Sequence, residues 1–584
     1  MIKKVFRQML VTQILSAMTV MICMLIDSIM IGRFLGVESM TAYGLATPVL
    51  LIFAAFGSML SAGIQVHCGK TMGSGDMEQT NAGFSSAVVL AAGVTAVGVA
   101  LVLVFIDPVC ALLGAGENVP ENAVFALTRD YLTGFIIGAP AFIFAQIMVP
   151  FMQISGNRTR LVVAVGVMTL ADVAFDVINV FVVKWGTLGM GLASSFSYYI
   201  AFVIGITYFF KKDCIFKFRR KLVSARTSGG LLKYGVPTVI NQISLVLLVF
   251  VLNKILLDVG QNRAVAAYSV ISTVGNICYC FGSGVGSVAL LLSSIFYSDE
   301  DKTALRSLMK TMIFYAIVLD IIVIAAVLIF APALVSLFLT DDLSAKDMAI
   351  LGARLFSLSL LPSALNTSLK NYYQGVGKTV FSEIISGMQN FAFAAIFAFV
   401  LSRFLGTTGV WLGYVCGESL TLILIALYVW FKNKKLSFSP DAFSLLPGDF
   451  GAKEGDYVEL SLNTVEGAVD ASLKAADFCR SHGESARDSN MIALCIEEMA
   501  DNIVEHGFTK DDKEHQVDVR LTFKDGRRVI RIRDNCVNFD PTHYLELHSN
   551  DDLTSHIGIR MVMKTVKSAN YVNSLGLNNL TLVM

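Results

Sequence analysis

Acids are rare in membrane-like sequence, and three of them here stand out by position and spacing. Asp27 falls in the apolar stretch 9–31, and Asp172 and Asp176 fall in the stretch 161–183. At such a depth a carboxylate faces a cavity or an ion path rather than hydrocarbon. The i, i+4 spacing puts Asp172 and Asp176 on one helix face, so with Asp27 they make a set able to bind a cation or share a proton. The plainer alternative is that they lie near helix ends and are solvated. A second pattern lies far downstream, where Glu498 and Asn502 in the run 496–507 stand one helical turn apart. In phosphoryl transfer an Asn in this position holds Mg²⁺ through its carbonyl oxygen while the Glu polarises a water or hydroxyl. The same spacing also describes an ordinary solvated helix face.

The elements that must carry these residues belong to two solvents. Over 584 residues 55% are apolar and 15% charged, and the mean hydropathy is +0.66, so most of the chain is built for a bilayer. A net charge of zero conceals a division near residue 435. Before it stand 30 Lys and Arg against 21 Asp and Glu; after it stand 15 against 24. Neither part has the basic excess of a nucleic-acid binder. The ten cysteines lack metal-ligand spacing and read as reduced, buried small residues.

Twelve apolar stretches of about 20 residues can be placed between residues 9 and 431. An even number puts both termini on one side, and the excess of Lys and Arg in the loops of that side predicts the cytoplasm. The chain also repeats itself. Ala42-Tyr43 and Phe56-Gly57-Ser58 recur as Ala267-Tyr268 and Phe281-Gly282-Ser283, 225 residues on; Gln153-x2-Gly156 recurs as Gln374-x2-Gly377, and Gly186-Thr187-x-Gly189 as Gly406-Thr407-x-Gly409, at offsets of 221 and 220. This predicts a six-helix unit used twice, lobes of about 5–210 and 230–435 with a cavity between them.

The stretch Ile26-Asp27-Ser28-Ile29-Met30-Ile31-Gly32-Arg33-Phe34-Leu35-Gly36, leading to Ala42-Tyr43-Gly44-Leu45-Ala46-Thr47-Pro48, resembles the first-helix signature of the multidrug and toxic compound extrusion (MATE) transporters. The turns at 69–76, 156–157 and 186–191 sit where that family has its own, and the resemblance covers about 5–435. It implies an antiporter of the bacterial inner membrane that exports small lipophilic or cationic molecules against H⁺ or Na⁺. Asp27 and Asp176 match acidic positions of the family's cation site, and Asp172 falls where relatives often carry Asn, which leaves the ion open. The second lobe is poorer in acids: Asp320 and Glu418 are isolated, and each reads equally well as structural. The many Met and Phe residues are candidates for lining an adaptable cavity, or for plain packing.

Beyond a polar linker at 436–452, residues 453–584 read as an α/β sandwich. The expected order is a strand at 457–462, helices at about 466–482 and 486–506, a hairpin at about 515–523 and 528–534, a loop, a helix at about 556–568 and two closing strands. The runs 496–507, 532–541 and 556–562 together resemble the GHKL (Bergerat) ATP-binding fold, most closely the anti-sigma-factor serine-kinase branch. That resemblance implies ATP and Mg²⁺ as ligands, with Asp534 accepting from the adenine amino group, Asn502 on Mg²⁺, Glu498 as base and Gly558 opening the phosphate-facing helix. Departures are Cys536 and His556 where the family has glycine, and a short lid between 541 and 555; a Cβ there is expected to crowd a nucleotide or oppose a positive φ. The whole chain then reads as a cation-coupled exporter with a nucleotide-binding regulatory tail. The alternative is a membrane-anchored sensor whose tail is a serine kinase or docking module for an anti-anti-sigma-like partner.

Overall fold

The structure is a computed structural model describing residues 2–115, 123–211, 214–338, 343–434, 439–508, 514–524, 526–547 and 557–584. Eleven helices among the described residues are long and apolar enough to cross a membrane: Ile2–Leu35, Glu38–Gly73, Met77–Val104, Ala123–Ile154, Thr159–Val183, Gly186–Ile206, Ala225–Gln261, Arg263–Ser298, Lys302–Ser336, Thr379–Leu405 and Thr407–Asn433. The pair Leu343–Ser357 and Leu360–Gly375, bent by 45°, supplies a twelfth as a broken span in tenth place. Its break precedes Pro362, which has no N–H to return to the previous turn. The spans are numbered 1 to 12 below, and the chain is a multi-pass membrane protein.

The repeat is visible in the backbone. Left-handed corners come in four pairs: Gly36 and Gln261 (φ 91° and 54°), Gly75 and Glu300 (77° and 50°), Gly156 and Gly377 (73° and 86°), Gly186 and Gly406 (59° and 60°). The first two pairs are 225 residues apart and the others 221 and 220, the offsets at which the sequence repeats. Each corner reverses the chain between the same two spans of its lobe.

The lobes close on each other at the end that carries the turns at 74–76 and 299–301, hereafter the tail side. An added Cβ on Gly63 would come within 2.1 Å of the Leu231 carbonyl oxygen, and one on Gly73 within 2.3 Å of that of Ile295. Span 2 of the first lobe thus runs almost backbone to backbone against spans 7 and 8 of the second. Glycine is required there because any side chain would wedge the lobes apart.

After span 12 the chain does not hang free. Tyr373 donates a hydrogen bond to the Phe443 carbonyl at 2.8 Å, Phe450 stacks on Tyr297 at 4.9 Å, and Leu445 and Ala452 are buried. The tail domain is a five-stranded antiparallel sheet of β1 (Tyr457–Leu462), β2 (Val517–Lys524), β3 (Arg527–Asp534), β4 (Ser568–Ser574) and β5 (Leu577–Val583), in the order β1-β2-β3-β5-β4. Helices Val465–Ser481, Ala486–Asn502 and Ile557–Thr565 cover one face, where Ile496, Met499, Ile530, Ile532 and Val562 form the core. Thr464 and Ser485 cap the first two helices by accepting the backbone N–H groups of Gly467 and Asp488 at 3.1 and 3.0 Å. A short helix, Pro541–Leu547, stands where a loop was expected. Asp540 caps it, accepting from the backbone N–H of Thr542 at 2.9 Å, and Pro541 opens it.

Candidate functional site

Spans 1 and 5 bring the three acids of the first lobe together. Asp27, Asp172 and Asp176 are 8%, 4% and 0% exposed, which removes the reading of solvated helix ends. Asp27 faces both Asp172 and Asp176. Ser197 on span 6 donates to Asp172 Oδ1 at 2.9 Å, and Cys23, one turn before Asp27, lies against Asp172 as well. Neither oxygen of Asp176, nor Oδ1 of Asp27, meets a donor among the described residues. Among those residues no Lys, Arg or His acts on the trio. Carboxylates buried in this way are stable only when protonated or bound to a cation. Just beyond Asp27 and Asp176 the helices widen into π turns, Ile31–Leu35 and Asn179–Val183, irregularities that tend to mark working segments of a helix. Asn179 ties the second of them to the next span, accepting from Trp185 N–H at 3.1 Å and donating to the Gly186 carbonyl at 2.9 Å. A Cβ on Gly189 would reach within 1.8 Å of Asn179 Oδ1, which accounts for the glycine in the repeated Gly-Thr-x-Gly corner.

In the second lobe the acids are placed differently. Glu418 is buried, but Asn366 donates to its Oε2 at 2.8 Å and to its main-chain carbonyl at 2.9 Å, and Gln389 reaches Oε1 at 3.4 Å. Asp320 is 1% exposed, with one oxygen unpartnered among the described residues. Between the lobes lies a cavity of about 320 Å³ whose lining includes Gln65, Gln146, Asn241, Lys370 and Asn371. Neither Met nor Phe is among its lining residues, so the expectation that those residues shape this cavity is not met; in the first lobe Phe84, Phe151, Phe209 and Phe216 pack on one another instead. Sequence reasoning also passed over Lys370. It follows directly on the apolar stretch 351–369 and reads there as a loop charge, whereas the broken span carries it into the interior at 7% exposure.

In the tail, Glu498 and Asn502 lie one turn apart at the end of the helix Ala486–Asn502, and Gly558 opens the last helix directly over Glu498. A Cβ on Gly558 would come within 2.0 Å of Glu498 Oε2. Asn502 donates through Nδ2 to the Glu498 carbonyl at 2.6 Å. Asp534 ends β3, 3% exposed, and its Oδ1 accepts from Cys536 N–H at 2.9 Å and from Asn578 at 2.8 Å. Burial raises its carboxyl above the ordinary aspartate range, and these two hydrogen bonds oppose the rise. Cys536 does not have a positive φ, so its backbone is not strained. Gly507 lies opposite, 3.1 Å from the Cys536 Cβ to where its own Cβ would stand, so the cysteine side chain packs against a residue that has none. His556 and most of the expected lid lie outside the described residues. A buried carboxylate thus stands beside a helix end carrying Glu and Asn, under a glycine-opened helix, a set of groups compatible with a nucleotide.

The sheet face away from the helices is docked on the membrane body. Arg520 pairs with Asp301; Arg531 and Arg533 reach the Asp299 carboxylate at 2.8 and 3.1 Å; Lys524 pairs with Glu300. These acids form the turn between spans 8 and 9. Burial lifts both Asp299 and Asp301, but Arg520, Arg533 and Arg531 overcome it at Asp301 and hold that carboxyl below the ordinary range, whereas at Asp299 burial prevails. On the first lobe, Asn570 donates to the Gly75 carbonyl at 3.0 Å and Leu575 N–H to the Ile154 carbonyl at 2.6 Å. A Cβ on Gly156 would meet Gly576 N at 2.4 Å. The tail therefore holds the turns at 75 and 300, which are equivalent under the repeat, at the same time. Asn578, the partner of Asp534, is two residues from the turn Leu575-Gly576 that touches the first lobe.

Residues 13–178 and 237–400 match the family described as MatE, and residues 463–584 match the histidine kinase-like ATPase domain. The chain is 23% identical over 414 residues to the multidrug export protein MepA of Staphylococcus aureus (strain bovine RF122 / ET3-1), covering 70% of this chain and 88% of that one. It is 22% identical over 440 residues to the probable multidrug resistance protein YoeA of Bacillus subtilis (strain 168), covering 73% and 93%. A solved structure titled as the outward-facing conformation of a multidrug resistance MATE family transporter superposes with a TM-score of 0.69 at 20% identity, over 72% of this chain and 94% of that one.

Proposed function

Since this chain belongs to the MatE family and carries a histidine kinase-like ATPase domain behind its membrane body, we propose that it exports small molecules across the cytoplasmic membrane by rocking its two lobes. Export is driven by H⁺ or Na⁺ taken up at Asp27, Asp172 and Asp176. The observation that carries this reading is the buried trio without a basic partner, because a site that needs a cation in order to be neutral changes its state when the cation arrives. The names of the relatives, multidrug export and multidrug resistance proteins, agree in direction with export. Both termini and the tail lie in the cytoplasm, the side favoured by the basic loops.

The tail acts as a brake. It grips equivalent turns of both lobes on the side where they are closed, so the lobes cannot part there while it is docked. ATP with Mg²⁺ supplies negative charge and bulk at the slot. Asp534 receives the base, Asn502 and Glu498 face the phosphate end, and Gly558 leaves the last helix open to it. If a nucleotide were bound, Asn578, which donates to Asp534, would be the residue that connects the slot to the Leu575-Gly576 turn on the first lobe. The second reading, a serine kinase or docking module for an anti-anti-sigma-like partner, would use Glu498 as base, and against it stands the sheet face, occupied by the transporter's own turns.

Proteoliposomes of the full chain test the export reading. A Na⁺ or proton gradient of one direction should drive dye efflux in the wild type, and Asp176→Asn should reduce it to the leak rate with the protein still inserted. Equal efflux from both proteins would place coupling elsewhere.

A further inference from the structure

We propose that the molecule held between the lobes is a small polar organic anion, a carboxylate or phosphate ester, whose charge is met by Lys370 in a cavity of amides and hydroxyls. The proposal deepens the export reading and rests on it.

Both lobes contribute to the cavity: Gln13, Gln65 and Gln146 from the first, Asn241, Lys370 and Asn371 from the second. It therefore lies on the path that alternating access must open and close. Among the residues that line it Lys370 is the one charged side chain, and none is acidic or aromatic. A flat lipophilic cation is recognised by the opposite chemistry, a carboxylate and ring faces, and would meet a like charge here.

Lys370 is not provided for elsewhere. Its ammonium donates to Asn241 Oδ1, an oxygen shared with Asn390 Nδ2 at 2.8 Å. An ammonium has three donors, and among the described residues it makes no ion pair. Glu418 acts on it electrostatically but forms no ion pair with it, its oxygens accepting instead from Asn366 and Gln389. A buried ammonium in this condition is costly unless an anion joins it. Two further groups on the lining, Gln65 Oε1 and Ser386 Oγ, are buried and unpartnered among the described residues. Such groups suit a ligand rich in hydrogen bonds rather than an oily one. The volume of about 320 Å³ fits a single small metabolite-sized molecule.

The test is the thermal stability and equilibrium binding of the full chain in detergent with glucose 6-phosphate, citrate and 6-carboxyfluorescein, against glucose and ethidium. At least one of the three anions should stabilise the wild type, and glucose and ethidium should not. Lys370→Gln should weaken that anion about 10-fold or more, the scale of one charge-assisted hydrogen bond, while Lys370→Arg should retain it and so exclude a folding defect. Stabilisation by ethidium alone, no response to any of the anions, or equal binding to Lys370→Gln overturns the proposal. Asp176→Asn should still bind the anion. Anion binding by a wild type that moves nothing down an ion gradient would break the export reading and leave this site standing; gradient-driven ethidium efflux without anion binding would do the reverse.

Discussion

The two lobes repeat one architecture and differ in how they treat buried charge. In the first, three carboxylates face each other and, among the described residues, meet one hydroxyl donor, Ser197, and no basic side chain. In the second, Glu418 is wrapped by two amides and the ammonium of Lys370 faces the cavity. A repeat duplicates the frame, the corners at 36, 75, 156 and 186 and their partners, but not the chemistry placed on it. One lobe gathers its acids where they can gain and lose a cation together; the other keeps Glu418 and Asp320 apart and sets an ammonium at the cavity. On the export reading this is the division between the driving ion and the cargo.

That contrast can be attacked from either side. The largest effect belongs to the first lobe: in everted vesicles Asp27→Asn should lower ion-driven export by more than about 10-fold, because it removes the acid that faces both others, whereas Glu418→Gln should keep at least half of the wild-type rate. Equal losses would erase the distinction. Next comes the tail. Asp301→Ala leaves the buried Arg520 with only Glu459, 3.6 Å away, and takes one acid from the docked face, so hydrogen exchange in β2 and β3 should rise there and export should become faster. Unchanged protection with unchanged transport would dismiss the brake. In the nucleotide slot, Asp534→Ala should weaken ATP binding by calorimetry about 5- to 150-fold, the scale of about 1–3 kcal/mol for an unpaired buried group. The smallest effect is expected from Cys536→Gly, less than about 3-fold on the same binding, since the cysteine side chain packs against Gly507, which has none; a large tightening would mean that the cysteine does crowd the slot.

Hydropathy made the twelve spans legible and was least definite at the fourth, which is one unbroken helix, and at the tenth, where the chain breaks just before Pro362 into two pieces each too short to read alone. In the tail, β1 was readable to the residue because apolar alternation and flanking turns agreed. The helix Pro541–Leu547 was missed although Asp540-Pro541 is a cap followed by a first-turn proline. The acids of the first lobe announced themselves through their apolar surroundings. Lys370 did not, because a lysine at the edge of an apolar run has the appearance of a loop residue until the break in span 10 carries it inward. The docking face had a signal of its own: Arg520 lies directly opposite Arg531 across two strands, a like-charged pair that a sheet tolerates only with acids over it. What supplies those acids, a turn more than 200 residues upstream, is a matter of tertiary contact that no local pattern contains.

If the lobes divide ion and cargo in this way, the driving cation is bound in the first lobe and nowhere in the second. The deciding experiment is equilibrium ²²Na⁺ binding and proton release on the purified full chain, comparing wild type, Asp176→Asn and Glu418→Gln. Wild type and Glu418→Gln should bind one or the other ion alike, and Asp176→Asn should bind neither. Loss in Glu418→Gln with retention in Asp176→Asn would refute the division.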